Sequence, residues 1–257
     1  MNGTLLWLRR SWWVGIVILA VYAYVFMRAM AWRWDWSWML SVLGGGTLLA
    51  SPALAGAATV VVLRQFPADA RDVMSVGVRS WAPCLQITAA IWLHAAGAYL
   101  ISGTVASALC AVYQADRKGL VLPLPVLVGL AALLAAAVLG VVVGLLVKSV
   151  WAVPLVVLGL FLGHRPTYWT TLPELFTLKQ ATGSAANSGY RPVVGHLAGT
   201  LMVNLLSACA LLVVGAFLSA PPGLRKKRLL LVALALLVAV GVIFGWGWPT
   251  TYEPIPI

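Results

Sequence analysis

Acidic residues are scarce in this sequence, and their scarcity argues against a soluble fold. The 257 residues include six Asp or Glu and seventeen Lys or Arg, so that only 9% of the chain is charged while 62% is hydrophobic. A water-soluble domain usually carries about 25% charged residues. Because too few polar side chains are present to cover a soluble globule, the excess apolar surface must face lipid.

Sequence signatures of catalysis and of metal binding are also missing. The chain contains no GxxxxGK[ST] loop to hold a nucleotide phosphate and no HExxH zinc motif. Three histidines are scattered without ligand spacing: His94, His164 and His196. Three cysteines form no CxxC pair and are expected to be small packing residues: Cys84, Cys110 and Cys209. We therefore expect no enzyme activity, metal or cofactor in this chain.

Long apolar runs dominate what is present. A helix needs about 20 apolar residues to cross a bilayer, and the runs predict an all-α, polytopic transmembrane bundle of about seven spans in a single domain. The fourth run breaks at Lys148, and the fifth span contains Pro154 and is short enough to be tilted, broken or partly re-entrant. The expected spans are 11–27, 40–63, 81–101, 120 to Lys148, 150–162, 197–218 and 229–244.

Local patterns refine three of these spans. Ala29-Met30-Ala31 resembles a signal-peptide cleavage site, but we expect an uncleaved first span. The segment 32–38 has four tryptophans in seven residues, a composition that suits the lipid headgroup zone. Small residues recur every fourth position in span four and predict a face for close helix packing: Ala132, Ala136, Gly140 and Gly144.

Four polar residues within the spans are candidates for lining a substrate path, because unpaired polar groups are costly in lipid. They are Gln86, His94, Asn204 and Ser207. The alternative for each is an interhelical hydrogen bond that only holds the bundle together, and we favour this second interpretation.

The segment between spans two and three predicts a short amphipathic helix at 66–78. Pro67 suits a helix start, and apolar residues including Phe66 and Met74 share one face at helical spacing. One interpretation is a helix that lies on the membrane surface. The other is a lever that binds a cytoplasmic partner through Phe66, Asp69, Arg71, Asp72, Met74 and Arg79.

The layout resembles the membrane subunit of a type-2 ABC exporter, and the sequence style resembles actinobacterial permease-like proteins encoded with ATPases. Those permeases have a cytoplasmic N-terminus and six spans. They carry a basic interfacial segment before span one, a coupling helix between spans two and three, and an enlarged external region before span six. Residues 8–13, 67–78 and 172–195 match these three features in turn. The last of these segments lies within an external loop expected at about 164–195. The seventh span is additional to that layout.

The resemblance implies a permease that moves an unknown substrate together with a separate cytoplasmic ATPase subunit, which would bind the ATP and Mg. A homodimer or a related membrane subunit would complete the path, in contact with membrane lipids, as a multi-pass protein of the plasma membrane. The basic residues lie beside apolar runs, so nucleic acid is not an expected partner. The alternatives are a structural or anchoring subunit of a larger membrane complex and a membrane-embedded enzyme, for which no catalytic constellation is present.

The charge distribution predicts that the N-terminus is inside and the C-terminus outside. With this orientation ten basic and two acidic residues lie inside, against seven basic and four acidic residues outside, as the positive-inside rule requires. Single cysteines placed at positions 2 and 252, in a background without the native cysteines, should react with impermeant reagents from opposite sides. Reaction of both ends from one side would mean an even number of spans.

Overall fold

The structure, a computed structural model, describes residues 3–65, 82–115, 123–147, 149–167, 190–192, 194–218, 224–245 and 252–254. These residues form eight α-helices, a short 3-10 helix and one pair of strands. In chain order the elements are α1 (Gly3–Arg28), the 3-10 helix (Met30–Trp34), α2 (Trp36–Gly45), α3 (Thr47–Gln65), α4 (Ala82–Val112), α5 (Leu124–Leu146), α6 (Ala152–Thr167), β1 (Tyr190–Pro192), α7 (Val194–Leu218), α8 (Leu224–Gly245) and β2 (Tyr252–Pro254).

The all-α transmembrane prediction is confirmed. Among the described residues, five stretches are long and apolar enough to cross a membrane: Leu6–Arg28, Trp36–Gln65, Cys84–Val112, Leu124–Leu146 and Val194–Phe217. The two remaining predicted spans correspond to shorter apolar helices, Ala152–Gly163 and Leu229–Val242. The number of crossings and the orientation therefore stay predictions.

Span two consists of two helical segments, α2 and α3, which together form one apolar stretch, Trp36–Gln65. Gly46 separates α2 from α3, and a Cβ atom built on it would lie 2.5 Å from Cε1 of Tyr22. The Thr47 hydroxyl donates to the Gly44 carbonyl at 2.6 Å, a side-chain bond that competes with the backbone ladder of the helix. Only a glycine at position 46 leaves room for the Tyr22 ring of α1 at this junction.

Three other boundaries differ from the predicted ones. The basic segment 8–13 is not separate from the first span, because α1 is continuous from Gly3 to Arg28. Helix α4 continues to Val112, well beyond the expected end of span three. Helix α6 is unbroken, since Pro154 lies in its first turn, where a missing N–H removes no bond of the helix. It reaches Thr167, past the expected start of the external loop.

Helix α5 lies at the centre of the bundle, with α3 and α7 packed on it and α4 alongside. The predicted small-residue face is confirmed, because Ala132, Ala136, Gly140 and Gly144 are all buried. A Cβ atom on Gly140 would collide with the backbone carbonyl of Ala55 in α3. The Thr59 hydroxyl lies 2.9 Å from the carbonyl oxygens of both Ala55 and Gly140 and joins the two helices.

The strand pair connects the two chain segments that flank the α7–α8 hairpin. Tyr190, Arg191 and Pro192 pair antiparallel with Pro254, Glu253 and Tyr252. The start of α7 and the chain that follows α8 therefore lie at the same end of the bundle. Residues 252–254, in the tail that follows α8, are extended.

We predict that Gly140→Ala destabilises the bundle, because the added methyl group meets a backbone carbonyl that cannot rotate away. Overpacking of this kind costs about 1–3 kcal/mol, which thermal unfolding in mild detergent would detect. Gly97→Ala is the matched control, since no atom lies within 4 Å of its Cβ position. Equal melting temperatures for the two variants would contradict the close approach of α3 and α5.

Candidate functional site

The residues predicted to bind a cytoplasmic partner lie outside the described residues: Phe66, Asp69, Arg71, Asp72, Met74 and Arg79. What the structure describes is the pair of helices to which this segment is attached, α3 ending at Gln65 and α4 beginning at Ala82. Helix α3 packs on α5, α6 and α1, and helix α4 packs on α1, α5, α2 and α7. The segment is therefore tethered to the two helices that together contact five of the other six.

His94 joins α4 to α1. Its Nε2 lies 2.9 Å from the carbonyl oxygen of Leu8, and because a carbonyl can only accept, Nε2 carries the hydrogen. The backbone and Cβ of His94 also pack near Gly15, whose Cβ position is 3.5 Å from the His94 carbonyl oxygen. His94 therefore has the interhelical hydrogen bond that we favoured from the sequence.

The other three path candidates lie near the start of α4 and in the middle of α7. Gln86 is half-buried in the first turns of α4. Asn204 is fully buried and donates from Nδ2 to the Thr200 carbonyl at 2.8 Å, within α7. Ser207 is also buried. The hydrogen bonds described for His94 and Asn204 end on different helices, α1 and α7, and a path-lining role for the four residues stays a prediction.

Two apolar grooves lie along the middle and the later part of α4. The larger, of about 250 Å³, lies between α2, α4 and the start of α5, where Met39, Leu43, Tyr99, Gly103, Thr104 and Ser107 line it with three further residues. The smaller, of about 170 Å³, lies between α1, the 3-10 helix and α4, where Leu19, Ala23, Phe26, Trp32, Ile101 and Val105 line it with three others. Both grooves are open and have apolar walls, so they suit hydrocarbon better than an ion or a sugar.

The tryptophan segment folds into a fixed structure at one end of α4. The indole Nε1 of Trp32 donates to the Phe26 carbonyl at 2.8 Å, and the Cys110 thiol lies 3.5 Å from the Trp32 carbonyl. Oδ1 of Asp35 accepts from the backbone N–H of Ser37 and of Trp38 at 2.7 and 3.2 Å. Asp35 is thus the N-cap of α2, a signal that the sequence carries but that our sequence analysis missed.

Arg33 lies between two aromatic rings in this segment. Its Cζ is 5.8 Å from the centroid of Trp32 and 5.9 Å from that of Tyr113, both within cation–π range. The rings of Trp34 and Tyr113 meet edge to face at 5.0 Å. The Nε atom of Arg33 is buried and has no hydrogen-bond partner among the described residues. The segment therefore holds a cation beside the smaller groove.

Within the described ranges, no cluster of three or more His, Cys, Asp or Glu could hold a metal ion. The chain matches no protein family, no curated protein and no solved structure.

We predict that His94→Ala lowers the stability of the bundle, because it removes the α1–α4 hydrogen bond and part of the packing at Gly15. An interhelical hydrogen bond in a membrane contributes about 0.6 kcal/mol on average and up to about 1.7 kcal/mol. Thermal unfolding should show the loss, whereas Leu93→Ala, at an exposed neighbouring position on α4, should change little. Unchanged stability in His94→Ala would argue against a structural role and favour the path-lining one.

Proposed function

We propose that this chain is the permease-like membrane subunit of an ATP-driven ABC transporter and works with a separate ATPase subunit in the plasma membrane. In this role the helix bundle would form the translocation path and would move during transport. ATP and Mg belong to the partner, which would dock on residues 66–78.

The observation that carries this proposal is the attachment of residues 66–81 to α3 and α4. A partner that displaced this segment would act directly on both helices. The Gly140 contact joins α3 closely to α5, and the His94 bond joins α4 to α1. A displacement at the segment would thus reach most of the bundle through packed contacts.

The grooves beside α4 support a lipid-soluble substrate. In the larger groove the hydroxyl-bearing residues Thr104 and Ser107 lie among apolar side chains, a lining that suits an amphiphile with a long apolar part. A lipid, a hydrophobic peptide or a hydrophobic antibiotic meets this description. A second copy of the chain, or a related membrane subunit, would close the open side of the groove and complete the path.

The second candidate function is a structural or anchoring subunit of a larger membrane complex. It is favoured by the use of polar side chains for packing: Thr59 joins α3 to α5, and Nε1 of Trp92 in α4 donates to the Leu130 carbonyl in α5 at 3.1 Å. Such bonds hold a bundle in one arrangement. Purification in mild detergent separates the two functions, since an ATPase should co-elute with a permease and a larger complex without ATPase should co-elute with an anchor.

We predict that Arg71→Glu combined with Asp72→Arg weakens docking of the ATPase and leaves membrane insertion intact. Exposed ion pairs are individually weak, but reversed charges at a matched contact oppose association. Co-purified ATP hydrolysis should fall by about tenfold.

The control is Lys227→Glu, which reverses one charge in the basic cluster 225–228 at the start of α8, on the same predicted side of the membrane. It should retain the partner, because the cluster is expected to interact with anionic headgroups. If the double variant inserts, co-purifies with the ATPase and keeps full activity, residues 66–78 are not the docking site.

A further inference from the structure

The smaller groove and Arg33 are parts of one site. Trp32 lines the groove and its ring is also one of the two that flank the Arg33 guanidinium. Phe26, a second groove residue, packs edge to face on Trp32 with ring centroids 4.9 Å apart. The cation is therefore held beside one wall of the groove by aromatic side chains that are themselves fixed.

The two parts of the site differ in chemistry, since the smaller groove is apolar and Arg33 is charged. Together they favour a ligand that has both characters. Ser102 is the one residue with a polar side chain among the nonaromatic groove residues, and its hydroxyl already donates to the Ala98 carbonyl at 2.8 Å. Arg33 carries a permanent positive charge, is only half-buried, and has a buried Nε without a partner among the described residues. Asp35, two residues away, uses Oδ1 to cap α2.

We infer that this site binds one anionic phospholipid of the surrounding membrane, with its phosphate on Arg33 and part of one acyl chain in the groove. Guanidinium groups bind phosphate oxygens through paired, charge-assisted hydrogen bonds. Trp and Tyr side chains are enriched at the level of lipid headgroups, and Trp34 is 60% exposed beside Tyr113. The inference does not depend on the proposed transport function, because a bound lipid of this kind fits a permease and an anchoring subunit equally.

A soluble anion or a protein carboxylate fits the site less well. Either would pair with the positive charge of Arg33, but neither has an apolar chain to fill the adjoining groove. The groove opens at the apolar surface of the bundle between α1 and α4, where Ala23 and Val105 are exposed. A molecule that carries its charge and its apolar chain together occupies both parts at once.

The test is lipid titration of the purified full-length chain in mild detergent, followed by native mass spectrometry. Phosphatidylglycerol and phosphatidylcholine with identical acyl chains are compared. We expect the wild-type chain to bind phosphatidylglycerol about tenfold more tightly, because the choline cation of phosphatidylcholine offsets the charge of the phosphate that Arg33 would bind. Equal binding of the two lipids by the wild-type chain would overturn the inference without any variant.

Variants separate the headgroup contact from the groove. Arg33→Gln should abolish the preference for phosphatidylglycerol, whereas Arg28→Gln, an exposed cation at the end of α1, should retain it. Ala23→Trp fills the exposed mouth of the groove and should weaken binding of both lipids at least about fivefold, since it excludes the acyl chain. Soluble glycerol 3-phosphate should not displace the lipid.

Each contrary result removes a defined part of the inference. Retention of the preference for phosphatidylglycerol in Arg33→Gln would show that Arg33 does not hold the headgroup. Loss of that preference in the control Arg28→Gln would show that the preference does not come from Arg33 specifically. Unchanged binding in Ala23→Trp, or displacement by glycerol 3-phosphate, would show that the groove does not hold the chain. If Arg33→Gln does not fold, Arg33→Lys replaces it and should reduce the preference without abolishing it, because lysine keeps the charge but not the paired donors.

Discussion

The close approach of the α3 and α5 backbones is the contact on which the rest of the bundle depends. Helices in lipid gain little from the hydrophobic effect, so their association comes from close packing and from hydrogen bonds between them. The glycine at position 140 allows the Ala55 carbonyl to approach, and the Thr59 hydroxyl adds a polar bond at the same level. Because α5 also contacts α4 and α7, this approach sets where those two helices can pack.

The positions of the helices could be predicted from the sequence because bilayer thickness sets a minimum length for an apolar run. The break at Lys148 and the small-residue face of span four were equally visible, since both are local patterns. The close contact at Gly46 was not, because it depends on a tyrosine of another helix that packs against the glycine. The end of α4 was also misplaced, since mostly uncharged residues continue past position 101 and no charged residue appears before Asp116.

The candidate site was less predictable, because its geometry depends on backbone groups. Any carbonyl can accept a hydrogen bond, so nothing in the sequence marks Leu8 as the partner of His94. The four tryptophans predicted a headgroup-level segment but not that Trp32 would be buried while Trp34 is exposed. Arg33 entered the sequence analysis only as one basic residue in a topology count, and the rings that flank it come together only in the fold.

The unequal lengths of the helices have a consequence for the membrane itself. Helix α4 has 31 residues and is about 46 Å long, whereas the apolar part of α6, Ala152–Gly163, is about 18 Å long against a hydrocarbon core of about 30 Å. In the predicted seven-span arrangement, lipids beside α6 would shorten or disorder their chains, at a cost of a fraction of a kcal/mol for each Å of mismatch. A protein surface placed against Leu155, Leu158 and Leu162, which are exposed on α6, would relieve that deformation. We therefore expect bilayer thickness to bias whether this side of the bundle faces lipid or another subunit.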